Sequence, residues 1–466
     1  MKNTKILGVV IAAVIVALSF VLPESEALSR AAIVSLCVLI AILALLLTDA
    51  VPVSVAVLMG PALLIFLRIT SPPAAFSGFT NPVVYFILCS LIISYAISST
   101  NLSKRMLVAV MKRSGRTVDS LMLGIMISTV LLSAFMSNVA ACVIFFGASL
   151  DFLNIYDNEE DKRRTGRTLM IALPLAAMTG GMYMPAASSL NMQVVSQLET
   201  VAGIDLQFIQ WMAIGTPMVV FVFPVVAFFV IKLNKAAPVS KEKLEAYILK
   251  LKQDIGDKWS FKEKYVSVVL VVVLAAWIMS SWFPRMQVAA VAIAGVFLFF
   301  LPGLNIFTWK EVESKINWTP VLLTAAFISM GNAYNATGAA KWMTSILVPS
   351  TLNAPVFVIS ILTGAIVFLM LVIVPNAPAL IPILGTPLVA LATAAGINPA
   401  ITLLTLGFTV VNCYLLPFDP VPIITYVQGY YTKRELARTA ICIQLCILVI
   451  VAIWIPFMVN VLGIGK

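Results

Sequence analysis

The sequence predicts an all-α polytopic membrane protein, built as two inverted repeats with about eleven transmembrane helices and two re-entrant hairpins. Three observations predict it. The 466 residues are 61% hydrophobic and 11% charged, with mean hydropathy +1.05, a balance outside that of soluble domains. Apolar segments long enough to cross a bilayer recur from end to end. Two polar interruptions, Ser137-Asn138 and Pro375-Asn376, sit in the middle of apolar stretches, their asparagines 238 positions apart. A polar side chain at membrane depth is costly and marks a binding site or an ion path.

The elements follow in order. The first apolar segment, 5–22, lacks a small-x-small cleavage site and is followed by further spans, so it reads as a retained helix. Spans follow at 30–49, 51–69 and 80–100, then a basic amphipathic stretch from Lys104-Arg105 to Lys112-Arg113. Two short limbs, 117–136 and 139–155, meet at Ser137-Asn138, and a charged loop runs from Asp157 to Arg167. Spans at 168–197, 208–232, 262–283, 286–302 and 318–337 come next. Two further limbs, 353–373 and 378–395, meet at Pro375-Asn376, and spans at 397–432 and 437–461 complete the chain. Between the halves, Leu244, Tyr247, Ile248, Leu251 and Ile255 have the spacing of a helix lying on the membrane surface; a solvated linker helix is the alternative. The domains are therefore an N-terminal helix (1–29), a first repeat (30–233) with hairpin 117–155, a cytoplasmic linker helix (234–261), and a second repeat (262–466) with hairpin 353–395.

Charge orients this layout. With Lys2 and Lys5 cytoplasmic and each two-limbed segment returning to its own side, the basic clusters Lys104/Arg105, Lys112/Arg113/Arg116, Lys162/Arg163/Arg164/Arg167, 232–264 and Lys433/Arg434/Arg438 all fall inside. The loops bearing Glu24/Glu26 and Glu199/Asp205 fall outside, as the positive-inside rule requires. Two full crossings would return in the same way, so charge sets orientation without proving re-entrance. The net charge of +10 is thus topology in short loops and implies no nucleic-acid partner. The place expected for such a chain is a bacterial cytoplasmic membrane. The cysteines Cys37, Cys89, Cys142, Cys413, Cys442 and Cys446 lie in apolar stretches and read as small hydrophobes. There is no histidine and no Walker motif, which excludes histidine acid–base chemistry and ATP hydrolysis by this chain. No nucleophile–base pair is visible, so an enzyme is not expected.

The two halves carry matching landmarks. Ser103-Lys104-Arg105-Met106 and Ala340-Lys341-Trp342-Met343 precede the two hairpins, and Asn81-Pro82-Val83-Val84 and Trp318-Thr319-Pro320-Val321 open the preceding spans, all at nearly one offset. An odd number of spans separates the halves, so the second is inverted.

At these residues the chain resembles the divalent anion/sodium symporter (DASS) family of the ion transporter superfamily, from about residue 30 to the C-terminus. That family carries a Ser-Asn-Thr signature at each hairpin tip and a Thr/Ser-Pro-Pro-Asn-like break in the helix after each hairpin. Here the tips read Ser137-Asn138-Val139 and Pro375-Asn376-Ala377. The breaks read Gly180-Gly181-Met182-Tyr183-Met184-Pro185-Ala186-Ala187-Ser188-Ser189-Leu190-Asn191 and Leu416-Pro417-Phe418-Asp419-Pro420-Val421-Pro422. The resemblance implies a homodimer with elevator-like motion.

Broken helices expose N–H groups that favour anions and carbonyls that favour sodium. By the resemblance, Ser133, Ser137, Asn138 and the carbonyl of Ala187 hold one sodium, and Ser188 donates to a substrate carboxylate. For Ser133 alone, a bond to its own helix backbone is an equal alternative. The second half departs: the family threonine is Val139 at the first tip and Ala377 at the second, the family serine is Pro375, and the polar position one turn before Asn376 is Leu371. The second sodium site has lost side-chain oxygens. Asp419 stands against those losses, as a sodium ligand with Asn376 or as a proton carrier; the alternative is a cap on the helix restarting at Pro420. Gly180-Gly181 is read as a close-packing site, and Trp259, Trp282, Trp309 and Trp318 as interface anchors.

The expected function is a secondary active transporter of a small anion, a di- or tricarboxylate, coupled to sodium, with the substrate meeting Ser137, Asn138, Val139, Ser188, Pro375, Asn376, Ala377 and Pro420. An exchanger or proton-coupled permease is the first alternative, and a non-transporting membrane receptor or scaffold the second.

Overall fold

The structure is a computed structural model describing residues 2–25, 28–113, 117–256, 258–283, 285–347, 352–374, 376–412, 415–417 and 419–465. Pro375, Glu26, Arg116, Cys413 and Phe418, named above, lie outside the described residues. Among the described residues every regular element is a helix.

The N-terminal helix α1 (Lys2–Val21) packs along α2 (Arg30–Leu47) and leaves much apolar surface exposed. Then come α3 (Val53–Phe66), the single turn α4 (Pro72–Ala75), α5 (Pro82–Ser98), α6 (Leu102–Met111), α7 (Val118–Ser133), α8 (Asn138–Leu153), α9 (Glu159–Gly180), α10 (Ser189–Ala202) and α11 (Phe208–Leu233). The connecting helix α12 (Lys241–Ile255) leads into α13 (Phe261–Met279), α14 (Val288–Phe299), α15 (Trp309–Glu313), α16 (Thr319–Ala336), α17 (Ala339–Leu347), α18 (Val356–Ile373), α19 (Ala377–Ala394), α20 (Pro399–Val410), α21 (Pro420–Tyr426) and α22 (Lys433–Val461). The order from α2 to α11 recurs from α13 to α22, down to the short helices α4 and α15 ahead of α5 and α16. Matching asparagines start those two long helices: Asn81 accepts from the N–H of Val83 at 2.9 Å, and Asn317 from that of Thr319 at 3.1 Å.

Two bundles result, each drawing on both halves. One contains α2, α3, α5, α13, α14 and α16; the other contains α7–α11 and α18–α22. Tight seams hold the second together. A Cβ on Gly180 would stand 2.3 Å from the Val130 carbonyl oxygen, so this glycine lets α9 close onto α7. Trp211 stacks on Phe408 with ring centroids 5.0 Å apart, joining α11 to α20.

Among the described residues five helices are long and apolar enough to cross a membrane (α2, α11, α18, α19 and α22), and a sixth crossing counts if α5 and α6, bent by 63°, act together. The shorter apolar helices owe their length to breaks rather than to polarity. The α5–α6 bend has a local cause: Ser98, Ser99 and Thr100 each bond a carbonyl of the preceding turn at 2.8–3.0 Å and end α5. One expectation is corrected. The charged segment 157–167 is not a loop: α9 starts at Glu159, because Asn158 caps it and Glu159, Glu160 and Asp161 complement the positive end of the helix.

The linker helix α12 turns Leu244, Tyr247 and Leu251 into the protein, and the Tyr247 hydroxyl donates to the Ala148 carbonyl at 2.7 Å. Beside it, Arg105 of α6 donates to the Gly256 and Lys258 carbonyls at 3.1 and 2.7 Å and pairs with buried Glu263 at 3.2 Å.

Candidate functional site

The site is made by interrupted helices. Between α7 and α8 the chain turns at residues 134–137, and the N–H of Ser137 is fixed by Ser94 Oγ of α5 at 2.9 Å. Ser133, fully buried, sits behind the tip, its hydroxyl 2.6 Å from the Ala177 carbonyl of α9 and 2.8 Å from Asn138 Oδ1. Gly181 gives Asn138 its place: a Cβ there would stand 2.5 Å from Asn138 Oδ1. This is the close-packing role read for Gly180-Gly181. Ser133 bonds a neighbouring helix and the tip, not its own helix.

Between α9 and α10 the backbone is unwound apart from one tight turn, Pro185–Ala187. Unwound backbone inside a membrane protein must be satisfied from within. Asn191, fully buried, donates to the Gly181 and Met184 carbonyls at 2.8 and 2.9 Å, and Trp211 Nε1 donates to the Met182 carbonyl at 3.2 Å. Gly215 lets α11 lie against the same strand, since a Cβ there would be 2.3 Å from the Met182 oxygen. Ser94, Asn191 and Trp211 were missed as site-building residues. Asn191 carried a signal, as the last polar residue of the break; Ser94 and Trp211 are single residues on otherwise apolar helices and carried none.

In the second half, Asn376 caps α19 by accepting from the Ala379 N–H at 3.3 Å. Asp419 caps α21, accepting from the Val421 N–H at 3.0 Å. The capping alternative for Asp419 is therefore realised, and the same side chain also lines the cavity described next.

All of these interruptions open on one cavity of about 710 Å³. Ser137, Asn138 and Val139 line it from the first tip, Ala187 and Ser188 from the first break, Asn376 and Ala377 from the second tip, and Asp419 and Pro420 from the second break. Of the sequence-predicted residues only Ser133, behind Asn138, does not reach it, and Pro375 lies outside the described residues. The other bundle supplies Ser90 and Ser94 of α5, Thr319 of α16 and Asp49 after α2. Among the described lining residues the only charged side chains are Asp49 and Asp419; none is basic.

The halves offer different chemistry to this space. The N-terminus of α8 has no side-chain cap, so its first N–H groups face outward without a local partner. At α10 the Ser188 oxygen accepts from the Leu190 N–H at 3.3 Å, which leaves its hydroxyl hydrogen free to donate elsewhere. At α19, Pro378 removes one N–H and Asn376 occupies another; at α21, Pro420 and Pro422 lack N–H groups and Asp419 takes that of Val421. Donors are concentrated in the first half, and each half contributes one carboxylate, Asp49 and Asp419.

An all-helical fold with several membrane-length apolar helices and broken segments around one internal cavity defines a polytopic membrane transporter. The chain belongs to the sodium:sulfate symporter family: the model of that family's transmembrane region matches residues 3–464. This is the divalent anion/sodium symporter group that the tip and break motifs resemble. The chain is a transporter and not an enzyme. It is 23% identical to the sodium-dependent dicarboxylate transporter SdcS of Staphylococcus saprophyticus, covering 99% of this chain and 92% of that protein. It is also 23% identical to SdcS of Staphylococcus aureus strain USA300, covering 90% and 84% respectively. Its fold is shared with the solved YdaH transporter of Alcanivorax borkumensis, with a TM-score of 0.52 at 14% identity over 83% of this chain and 86% of that one.

Proposed function

We propose that this chain is a sodium-coupled secondary active transporter of a small anion, a di- or tricarboxylate, working by elevator-type alternating access. The carrying observation is that both asparagine tips and both helix breaks line one cavity whose described lining holds two carboxylates and no basic side chain. Such a cavity opposes a lone anion: at an effective dielectric of about 20, two like charges 4 Å apart repel by about 4 kcal/mol. An anion therefore enters in company with cations. The uncapped start of α8 and the Ser188 hydroxyl face the substrate carboxylates, while Ser133, Ser137, Asn138 and the Ala187 carbonyl supply neutral oxygens to one sodium. Asn376 and Asp419 face the second cation. The relatives named sodium-dependent dicarboxylate transporters support this choice of solute and ion.

The architecture in this reading is two inverted repeats, 30–233 and 262–466, with about eleven transmembrane helices and re-entrant hairpins at 117–155 and 353–395. The recurring helix order supports the repeats. The 16-residue limbs α7 and α8 support re-entrance, since about 24 Å of helix falls short of a hydrocarbon core about 30 Å thick. With the basic loops cytoplasmic in a bacterial inner membrane, Asp49, Asn317 and Thr319 mark the cytoplasmic mouth of the cavity. On the opposite side polar bonds join the bundles: Gln193 to Thr324 at 3.0 Å and Asn81 to Ser196 at 3.3 Å, with Thr386 donating to Asn335 at 2.8 Å. In a homodimer, the bundle of α7–α11 and α18–α22 slides and breaks those bonds.

Uptake of labelled succinate, citrate and sulfate into vesicles, under sodium, potassium or proton gradients, tests the proposal. Accumulation of one of the carboxylates driven by sodium alone is the expected result. Accumulation driven by a proton gradient, or only by exchange against internal anion, would instead support the second reading, favoured by the carboxylate of Asp419 in the cavity.

A further inference from the structure

On α18, α20 and α22 five polar side chains have buried atoms without a hydrogen-bond partner: the hydroxyl oxygens of Ser360 and Thr363 on α18 and of Thr405 and Thr409 on α20, and the amide donor Gln444 Nε2 on α22. Each residue is at most 4% exposed. Orphaned polar groups of this kind are rare in native interiors and call for an occupant. The three helices pack against one another pairwise. Gly364 marks where they meet: a Cβ there would stand 3.6 Å from Thr409 Oγ1 and 2.5 Å from Leu448 Cδ2. Ser360 lies four residues before Gly364 and Thr405 four before Thr409, so these hydroxyls share the faces of α18 and α20 that meet here, whereas α22 runs antiparallel to α20 and Gln444, four before Leu448, lies a turn away on the other side. Thr363 sits beside Gly364 on the same seam.

Among the described residues, the matching limb of the first half carries no such pair of hydroxyls. At the offset that relates Asn138 to Asn376, Ser360 and Thr363 correspond to Met122 and Ile125, both buried and apolar. The reverse exchange occurs near the tips, where Ser133 of the first half corresponds to Leu371 of the second. Polar oxygens have left the second tip and appear about 12 Å deeper along the same limb, taking about 1.5 Å per residue.

We propose that the α18/α20 seam is a cation site, in which the hydroxyls of Ser360, Thr363, Thr405 and Thr409 bind sodium as a coupling ion additional to those at the two tips. Neutral hydroxyl oxygens suit a hard monovalent cation. The seam ends, through the last turn of α20, at the break that leads to Asp419, so an ion bound here is felt where the substrate cavity begins. The proposal rests on the sodium-coupled reading above.

The test is a sodium titration of uptake in vesicles for the full chain and for Thr363→Val, Thr409→Val and the double variant, which keep side-chain volume and remove the oxygen. Each single variant is expected to raise the sodium concentration for half-maximal uptake roughly tenfold, the double variant more, with the carboxylate KM at saturating sodium unchanged. Thr409→Ser, which keeps the oxygen, is expected to match the parent. Sodium-dependent thermal protection of the purified proteins gives a second readout for any variant too slow to assay. Sodium curves that superimpose on the parent's, or a variant made more stable with unaltered sodium response, would overturn the proposal and leave the hydroxyls as packing or water sites. A parent protein with no sodium dependence at all would instead defeat the coupling reading on which it rests.

Discussion

The Ser133 hydroxyl stands 2.8 Å from Asn138 Oδ1 while also lying 2.6 Å from the Ala177 carbonyl of the next helix. One buried serine thus ties the end of α7, the start of α8 and the body of α9. Its hydroxyl has a single hydrogen for two oxygens, so the tip is held by a set of neutral oxygens that is rich in lone pairs and poor in donors. Ser133→Ala is expected to raise the sodium requirement for uptake roughly tenfold, the cost of one lost buried hydrogen bond or ligand of about 1–3 kcal/mol. Asn138→Ala, which also removes a cavity-lining amide, is expected to abolish measurable uptake. Vesicle transport at graded sodium reads both.

Gly181→Ala places a methyl about where the Asn138 amide now sits, 2.5 Å from Oδ1. The asparagine must turn away, or α9 must shift at a cost of about 1–3 kcal/mol. The expected outcome is a folded protein, monodisperse in detergent, with transport reduced at least as much as in Ser133→Ala. Gly203, where no atom lies within 4 Å of an added Cβ but φ is +67°, serves as a control: Gly203→Ala is expected to lower thermal stability and leave the sodium response alone.

How much of this was legible in sequence depends on which physical cost a residue reveals. Asn138 and Asn376 stood out because an amide inside an apolar run has no cheap explanation, and the same logic exposed Asp419 as a lone charge; Ser188 was legible only through the family's break motif. Asp419 was left between ion site and helix cap, and the two roles turn out to share one side chain: it bonds the Val421 N–H and lines the cavity. Ser94 and Trp211 were invisible because their partners, the Ser137 N–H and the Met182 carbonyl, are defined only once distant helices pack. The start of α9 was misjudged because charge was read as loop, although Asn158 and three acids in the following turn form a strong helix start. The buried hydroxyls of α18 and α20 were passed over because Ser and Thr in a membrane helix ordinarily bond their own backbone, as Ser128 and Thr129 do here.

Asp419→Asn separates charge from capping. Asparagine caps a helix about as well as aspartate, so the fold is expected to survive, whereas Asp419→Ala loses the cap and about 1 kcal/mol. Asp419→Asn is expected to change the sodium or pH dependence of uptake. Full activity with unaltered sodium and pH profiles would remove Asp419 from the coupling machinery.

Arg105 holds α6 to the start of α13 through Glu263 and two loop carbonyls. Arg105→Ala leaves Glu263, which is 2% exposed, without its cation and is expected to destabilise the protein by about 3–5 kcal/mol. Arg105→Lys restores the charge but not the fork that reaches three partners, and is expected to recover only part of the loss. Thermal unfolding in detergent measures both.

Gln193 of α10 donates to Thr324 of α16 at 3.0 Å and so joins the two bundles. Cysteines at both positions, in a background lacking the native thiols, are expected to cross-link and stop uptake, with activity restored by reductant. Undiminished uptake in the cross-linked protein would show that the bundles do not separate there.

The most direct test of the central claim is a density map of the protein in nanodiscs with sodium and the carboxylate it accumulates. The substrate is expected between the starts of α8 and α10 on one side and of α19 and α21 on the other, touching Asn138 and Ser188, with a cation behind it beside Ser133. Substrate density at another place, or an empty cavity in a preparation that transports, would contradict the account.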